Sequence, residues 1–346
     1  MYDKFYGFHA MPFQLTPDSR FFFNSKGHGR AIAHLIYGLS QGEGFIVVTG
    51  EVGAGKTTLV ERLWSELDRD AYLLARINTT QVSGEDLFRL AMTAFGINAS
   101  GLDKATLLRD FQDMLRAYAA SGRRCLLIVD EAQNLSLPAL EELRMLSNIT
   151  TEGSHSALQT ILLGQPQFRR MLASLDLDQL RQRVLASYHL GPLSEGETRA
   201  YIEYRLNAVG WDGNPAISDG AFSAIHRYTS GIPRRINRLC SRVLLYGALE
   251  ESAAITGEMV HTTAAELQRD LEGGAEGGGS GGGSDMTAAF GQGLHGSAGF
   301  GSPEERGVSC AALERRIRAV EDAAARHERM FQRLIDMFAG FNGPRQ

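Results

Sequence analysis

The segment GEVGAGKTT, at residues 50–58, constrains the fold more than any other feature of the sequence. It directly follows the apolar run FIVVT and opens the amphipathic stretch KTTLVERLW, so glycines stand between a candidate strand and a candidate helix. Glycine tolerates positive φ and has no β-carbon, so the backbone N–H groups of such a turn can wrap a phosphate chain. A helix starting near Lys56 adds its partial positive charge there. The segment therefore predicts a phosphate-binding loop, in which Gly50, Gly53 and Gly55 allow positive φ and remove β-carbons that would block the approach to the backbone.

Two side chains of this loop are suited to a nucleotide and its metal. Lys56 can meet the β- and γ-phosphates as a point charge, and the Thr57 hydroxyl can ligate a magnesium ion. Thr58 is expected to pack or to cap the helix. The predicted nucleotide-binding residues are Gly50, Glu51, Val52, Gly53, Ala54, Gly55, Lys56, Thr57 and Thr58.

A second motif, CLLIVDEAQNL, is an apolar strand that ends in two acids. The carboxyl ends of parallel strands meet at one edge of a sheet, so these acids are expected beside the phosphate loop. There Asp130 would hold magnesium through its water shell, and Glu131 would activate the attacking water as general base. A solvated helix cap is the alternative for an Asp-Glu pair, but the neighbouring phosphate loop favours the catalytic roles.

Four further side chains are candidates for sensing or stabilising the phosphates. Gln165 follows the run LQTILLG and could orient the lytic water, although a turn residue before proline is the alternative. Arg181 and Arg183 precede the last strand and either could reach a neighbouring subunit as an arginine finger or remain a surface charge. Arg234 follows Pro233 at a helix start, where a guanidinium can fold back onto the phosphates and couple closure to nucleotide state.

Periodicity divides the chain into four parts. Short apolar runs at residues 45–49, 73–78, 126–130, 160–163 and 187–190 predict strands covered by helices on both faces, so residues 1–192 are predicted to form an α/β domain with a parallel sheet. Strands then stop, and residues 193–272 predict a small α-helical lid domain whose helices start after Ser194 and Ser218. Residues 273–308 are too glycine-rich to form a core and predict a flexible linker.

Residues 309–340 predict a coiled-coil helix. Apolar and aromatic residues recur there at alternating spacings of four and three, which is the pattern of a helix seam. Folding back onto the chain's own nucleotide domain is the alternative, since the linker permits it. The seam consists of Leu313, Ile317, Val320, Ala324, His327, Phe331, Leu334 and Phe338.

Composition bounds the class of protein. With 346 residues and 43% hydrophobic content, the chain can bury a core without metal or disulfide staples. Cys125, Cys240 and Cys310 are widely spaced and predict reduced thiols. A net charge of −5 argues against a general nucleic-acid coat. No signal segment or long apolar run is apparent, so a cytoplasmic protein is expected.

The order of these motifs resembles a known family. The segments FYGFHAMPFQLTPDSRFFF, HGRAIAHLIYGL, GEVGAGKTT, VDEAQNL, ILLGQPQF, LRQRV and GIPRRINRLC are similar to those of AAA+ secretion ATPases related to general secretion pathway protein A. More narrowly, they resemble the ATPases encoded with exosortase and exopolysaccharide export systems. The resemblance covers residues 1–270. Such relatives continue into a membrane span and a peptidoglycan-binding domain, and because neither is apparent here, direct contact with the cell wall is not expected.

The resemblance implies an ATPase that uses ATP and Mg²⁺. It also implies that residues 12–23 help to enclose the adenine. By the same resemblance, Lys56 and Thr57 are Walker A residues, Asp130 and Glu131 are Walker B residues, Gln165 is sensor 1, Arg181 or Arg183 is the arginine finger, and Arg234 is sensor 2.

Three functions are compatible with these features. The first is a homo-oligomeric motor or switch that serves an envelope export or polysaccharide assembly system, reaching the inner membrane only through protein partners. The second is a DNA-transaction ATPase of the transposition-helper type. A cluster of arginines supports this function, whereas the net negative charge of the chain argues against it. The third is a nucleotide-gated scaffold with little turnover. The arginine cluster comprises Arg227, Arg234, Arg235, Arg238 and Arg242.

Overall fold

Five strands form one parallel sheet in the computed structural model, which describes residues 2–16, 21–68, 70–78, 83–150 and 156–276. The strands are β1 (Phe45–Gly50), β2 (Tyr72–Asn78), β3 (Arg124–Asp130), β4 (Leu158–Gly164) and β5 (Val184–Leu190). Their order across the sheet is β2-β3-β4-β1-β5. Every neighbouring pair is parallel, which confirms the predicted α/β fold class.

Burial of the strands follows their place in the sheet. Nearly every residue of β1, β3 and β4 is buried, as expected for strands covered on both faces. The two edge strands, β2 and β5, alternate between buried and more exposed positions. The predicted runs are therefore confirmed, and each strand is one to three residues longer than its predicted run.

Helices cover both faces of the sheet. The helices that precede and follow the strands are α1 (Tyr2–Tyr6), α2 (Lys26–Gln41), α3 (Lys56–Glu66), α4 (Gly84–Ala94), α5 (Lys104–Ala120), α6 (Leu137–Leu146), α7 (Pro166–Leu172) and α8 (Asp178–Arg181). Residues of α2 and α3 pack on one face, and residues of α4, α5, α6 and α7 pack on the other. Side-chain caps explain several of the helix starts, for example Ser25 before α2 and Asp103 before α5.

After β5 the chain is mainly helical, with α9 (Glu195–Asn207), α10 (Asp219–Thr229), α11 (Pro233–Leu249) and α12 (Gly257–Glu276). Ser194 and Glu197 form a capping box at α9, and the Ser218 hydroxyl caps α10, so both predicted helix starts are confirmed. The expectation that strands stop at residue 194 is wrong in one detail. Two two-residue strands, β6 (Ala216–Ile217) and β7 (Ala254–Ile255), pair in parallel because the segments before α10 and α12 run side by side.

The amino-terminal segment packs with this helical region. Aromatic residues of the segment, including Tyr6, Phe13 and Phe21, share a buried cluster with Tyr201 and Leu206 of α9. The α/β region and the helical region up to residue 265 belong to one compact unit. Cys125 and Cys240 are buried and unbridged, as expected.

The first four residues of the predicted linker, 273–276, instead belong to α12. The rest of that linker at 277–308, the coiled-coil helix predicted at 309–340 and the thiol of Cys310 lie outside the described residues. Within the part of the chain that the structure describes, none of the helices combines the length and the apolar character needed to cross a bilayer.

Two leucines, one buried and one exposed, test the described α/β core. Leu115 of α5 is completely buried, whereas Leu175 is 85% exposed. Leu115→Ala should lower the free energy of unfolding by about 2–5 kcal/mol, because it removes buried methyl groups and leaves a cavity. Leu175→Ala should change it by less than about 0.5 kcal/mol. Urea unfolding of both variants measures the difference, and equal effects would contradict the described core.

Candidate active site

The glycine-rich loop turns sharply between β1 and α3. Gly53 and Gly55 adopt φ of 82° and 100°, which glycine permits, and Gly55 is the N-cap residue of α3. Gly50 does not have a positive φ. Gly50 ends β1 beside Leu190 of β5, and a β-carbon there would lie 2.6 Å from the Leu190 carbonyl oxygen. Glycine is therefore required at position 50 by the close packing against Leu190 and not by a positive φ angle.

Lys56 is buried within this loop, with 5% of its surface exposed. Its ammonium donates to two loop carbonyls, the oxygens of Gly50 at 2.9 Å and Glu51 at 3.1 Å. Burial lowers the pKa of Lys56, against the raising effect of three neighbouring carboxylates. The ammonium thus lies at the mouth of the loop, held by hydrogen bonds that a phosphate oxygen could replace.

A hydrogen bond joins the first motif to the second. The Thr57 hydroxyl donates to Oδ2 of Asp130 over 2.8 Å, so the two predicted metal ligands lie side by side. The backbone N–H of Glu131 donates to the other oxygen, Oδ1, at 3.0 Å. A guanidinium N–H of Arg76, on β2, also donates to Oδ2 at 3.1 Å. The carboxylate of Asp130 is therefore fixed from several directions.

Glu131 receives amide donors from two glutamines. Gln165 donates to its Oε2 at 3.0 Å, and Gln133 donates to the same oxygen. Gln133 also accepts from the backbone N–H of Gln165 at 2.9 Å, so β3 and β4 are tied together at their ends. Burial raises the pKa of Glu131, but the hydrogen bonds from Gln165 and Gln133 and the charge of Lys56 outweigh it and lower the pKa overall. Glu131 is therefore ionised at neutral pH.

The helical region reaches the loop through α11. The backbone N–H of Arg234 donates to the Gly53 carbonyl at 3.2 Å, and Arg234 lines the same cavity as Lys56 and Thr57. This cavity has a volume of about 380 Å³. Its other walls are formed by Gln14, Leu15, Thr16, Phe21, Phe22, Phe23, Tyr201 and Asn237, among others. The amino-terminal segment thus lies beside the loop, where the resemblance places it.

His28 supports the loop from α2. Its imidazole is buried, and a β-carbon on Gly55 would lie 2.9 Å from its Nε2. Its Nδ1 lies 2.8 Å from the hydroxyl of Ser25. Burial lowers the pKa of His28, against the raising effects of Glu197 and of the Ala54 backbone, so the ring is neutral at pH 7.

The two arginines before β5 lie away from this cavity. Arg183 donates to the hydroxyl and the carbonyl of Ser147 at 3.0 and 3.3 Å, near the amino-terminal ends of the strands. Arg181 pairs with Asp178 at 2.7 Å and keeps half of its side chain exposed. Neither arginine lines the cavity of its own chain.

Three residues of this site were missed in the sequence analysis: Arg76, Gln133 and His28. Gln133 stands two positions after Glu131 in VDEAQNL, so an amide next to the two acids was a usable signal. Arg76 carried a weaker signal, a charge within an apolar strand. His28 carried none, because its contact with Gly55 depends on tertiary packing.

Two glycines with similar positive φ angles test the contact between the glycine-rich loop and α11. Gly53 and Gly96 have φ of 82° and 88°. A β-carbon on Gly53 would lie 2.3 Å from Cβ of Arg234, whereas one on Gly96 would meet nothing within 4 Å. Gly96→Ala should therefore cost only backbone strain, about 1–2 kcal/mol, and Gly53→Ala should lower the free energy of unfolding further. Urea unfolding gives both values, and a Gly53→Ala cost no larger than that of Gly96→Ala would argue against the close approach.

Comparison with known proteins agrees with this geometry. Residues 39–172 match the model of the AAA domain family. The sequence is 39% identical to general secretion pathway protein A of Aeromonas hydrophila over 246 residues, which is 71% of this chain and 44% of that protein. The chain therefore spans less than half the length of this relative.

Solved structures share the fold at low sequence identity. ORC2 of Aeropyrum pernix superposes with a TM-score of 0.53 and 16% identity, covering 70% of this chain and 67% of that one. Cdc6p of Pyrobaculum aerophilum gives 0.54 and 18%, covering 73% and 71%. At this identity the likeness concerns the fold alone. Together, the sheet order, the glycine-rich loop and these comparisons identify residues 39–172 as an AAA domain of the P-loop NTPase fold, in a chain related to general secretion pathway protein A.

Proposed function

We propose that this protein binds ATP with Mg²⁺ in the cavity of the loop and hydrolyses it. The observation that carries the proposal is the convergence of Lys56, Thr57, Asp130, Glu131 and Gln165 at one edge of the sheet, with the Thr57–Asp130 hydrogen bond joining the two motifs. This set provides a cation to bind the phosphates, oxygen donors to bind a metal and a carboxylate to activate a water.

The donors fit a magnesium ion. The Thr57 hydroxyl and the Asp130 carboxylate are hard oxygen ligands, and their oxygens lie 2.8 Å apart. Mg²⁺ keeps several waters when bound and needs few protein ligands, so these two residues suffice beside phosphate oxygens. Thr57 and Asp130 would hold the ion, which would supply positive charge against the negative charge of the phosphates.

Glu131 is proposed as the general base. It is ionised at neutral pH and lies beside Gln165, whose amide can also orient a water. Lys56 would exchange its carbonyl partners for phosphate oxygens, and Arg234 would approach them from α11. Because α11 already touches Gly53, a nucleotide in the cavity would contact the α/β region and the helical region at once.

Binding and hydrolysis should separate by mutation. Lys56→Ala should abolish ATP binding, because it removes the charge that meets the phosphates. Glu131→Gln should still bind ATP but turn it over at least about 100-fold more slowly, as expected for loss of a general base. Fluorescent-nucleotide titration and phosphate release measure the two properties, and Glu66→Gln, an exposed acid of α3, is the control that should keep normal turnover. Near-normal hydrolysis by Glu131→Gln would refute the assignment of the base.

We also propose that the protein serves an envelope export or exopolysaccharide assembly system, from the cytoplasmic side and through a protein partner. The relation to general secretion pathway protein A supports an export role. The DNA-transaction alternative has one observation in its favour: Arg235, Arg238 and Arg242 lie exposed along one face of α11, which contains no acidic residue. Salt-dependent DNA binding, measured by fluorescence anisotropy, distinguishes the two.

We further propose that the protein works as a homo-oligomer in which Arg181 acts on the neighbour's nucleotide. Arg181 is the better candidate because Arg183 is engaged with Ser147, whereas Arg181 keeps half its side chain exposed. An arginine finger contributes about three to five orders of magnitude to the rate in known cases.

Mixing experiments test this arrangement. Arg181→Ala alone should lose most of its ATPase activity, and activity of the unmodified protein per subunit should rise with protein concentration. Adding Glu131→Gln should restore part of the activity of Arg181→Ala, because mixed interfaces pair an intact base with an intact arginine. Arg183→Ala serves as the comparison and should behave as a stability variant. Activity that is independent of concentration and is not rescued on mixing would mean that each chain holds a complete site.

A further inference from the structure

Arg76 connects the edge strand β2 to both the metal-binding carboxylate and α3. One guanidinium nitrogen donates to Oδ2 of Asp130 at 3.1 Å, and the other donates to Glu61 at 3.2 Å. The Asp130 side chain is 8% exposed, whereas that of Glu61 is 47% exposed. Arg76 therefore donates from one terminal nitrogen to a buried acid and from the other to an exposed acid.

The same oxygen of Asp130 serves Arg76 and Thr57. Oδ2 accepts from both, while Oδ1 accepts from the backbone N–H of Glu131. Removing Arg76 would leave the Thr57 and Glu131 donors in place, so the carboxylate would keep its orientation. The particular contribution of Arg76 at this point is its positive charge.

We propose that Arg76 is an internal counter-cation that competes with the divalent metal for Asp130 and so sets the metal affinity of the site. The inference rests on the proposed function, since it concerns the metal that accompanies the nucleotide. Arg76 neutralises the buried carboxylate when no metal is bound. When a metal binds, the guanidinium can move toward Glu61 and remain paired there.

The expected direction follows from charge. A guanidinium beside the Asp130 oxygen repels a divalent cation that approaches the same oxygen. With solvent screening, one unit charge at such a separation changes the affinity for a dication by about 10-fold. A residue that only held Asp130 in position would have the opposite effect, because its removal would weaken metal binding.

Mn²⁺ affinity of the ADP complex tests the proposal without hydrolysis. Free Mn²⁺, measured by electron paramagnetic resonance, gives its dissociation constant for the full-length protein loaded with ADP. Arg76→Met should bind Mn²⁺ about 10-fold more tightly. Arg76→Lys, which keeps the charge, should stay within about threefold of the unmodified protein. Glu61→Gln should bind Mn²⁺ more weakly, because the guanidinium loses its alternative acid.

A matched control exists on the opposite face of the sheet. Arg89 of α4 is exposed to the same extent as Arg76, 33% against 34%, and pairs with Glu85 at the same 3.2 Å distance. Arg89→Met should leave the Mn²⁺ affinity unchanged. Circular dichroism confirms that each variant is folded. If Arg76→Met unfolds, Glu61→Gln keeps the proposal testable, and an Mn²⁺ affinity of Glu61→Gln that is unchanged or tighter would overturn it.

ADP binding in EDTA separates this inference from the proposed function. If the unmodified protein binds ADP, an Mn²⁺ affinity in Arg76→Met that is unchanged or weaker would overturn the role of Arg76 alone. If the unmodified protein binds no ADP, the proposed function fails and the inference fails with it.

Discussion

The position of β4 between β1 and β3 is the constraint on which the site depends. Parallel pairing on both sides of β4 brings three strand ends to one edge of the sheet, where Gly50, Asp130 and Gly164 end their strands. Gln165 follows β4 directly and therefore lies between the glycine-rich loop and the two acids. The proposed metal ligands, the proposed base and the phosphate loop belong to two separate motifs, and they come together only because these three strands are adjacent.

Features encoded locally were predictable from the sequence. The glycines of the loop, the apolar runs and the capping residues Ser194 and Ser218 each act within a few positions, so their patterns predicted the strands, the loop and the helix starts. The metal and base candidates were found because they end a recognisable apolar run. The contact that requires glycine at position 50 was not predicted, because it comes from Leu190, on a strand 140 positions later in the chain.

Contacts between distant segments were not predictable where no motif marks the partners. His28 meets the loop only because α2 packs against β1 and α3, and Arg76 reaches Asp130 only because β2 pairs with β3. The amino-terminal aromatics gave no pattern of their own, yet they form one cluster with α9, and Arg205 fixes that segment by donating to the Pro12 carbonyl at 2.8 Å. Such contacts have no sequence period, because the partners belong to elements that meet only after folding.

Lys56, bound to the carbonyls of Gly50 and Glu51, has a consequence for ligand discrimination. The loop is already occupied by its own ammonium, so an arriving anion gains only the difference between its own hydrogen bonds and those it displaces. A phosphate chain would also gain the neighbouring N–H groups of the loop and the start of α3, whereas a chloride ion or a single carboxylate is too small to reach all of them. Under the proposed function, the hydrogen-bonded lysine would therefore favour ligands with several phosphate groups over small anions.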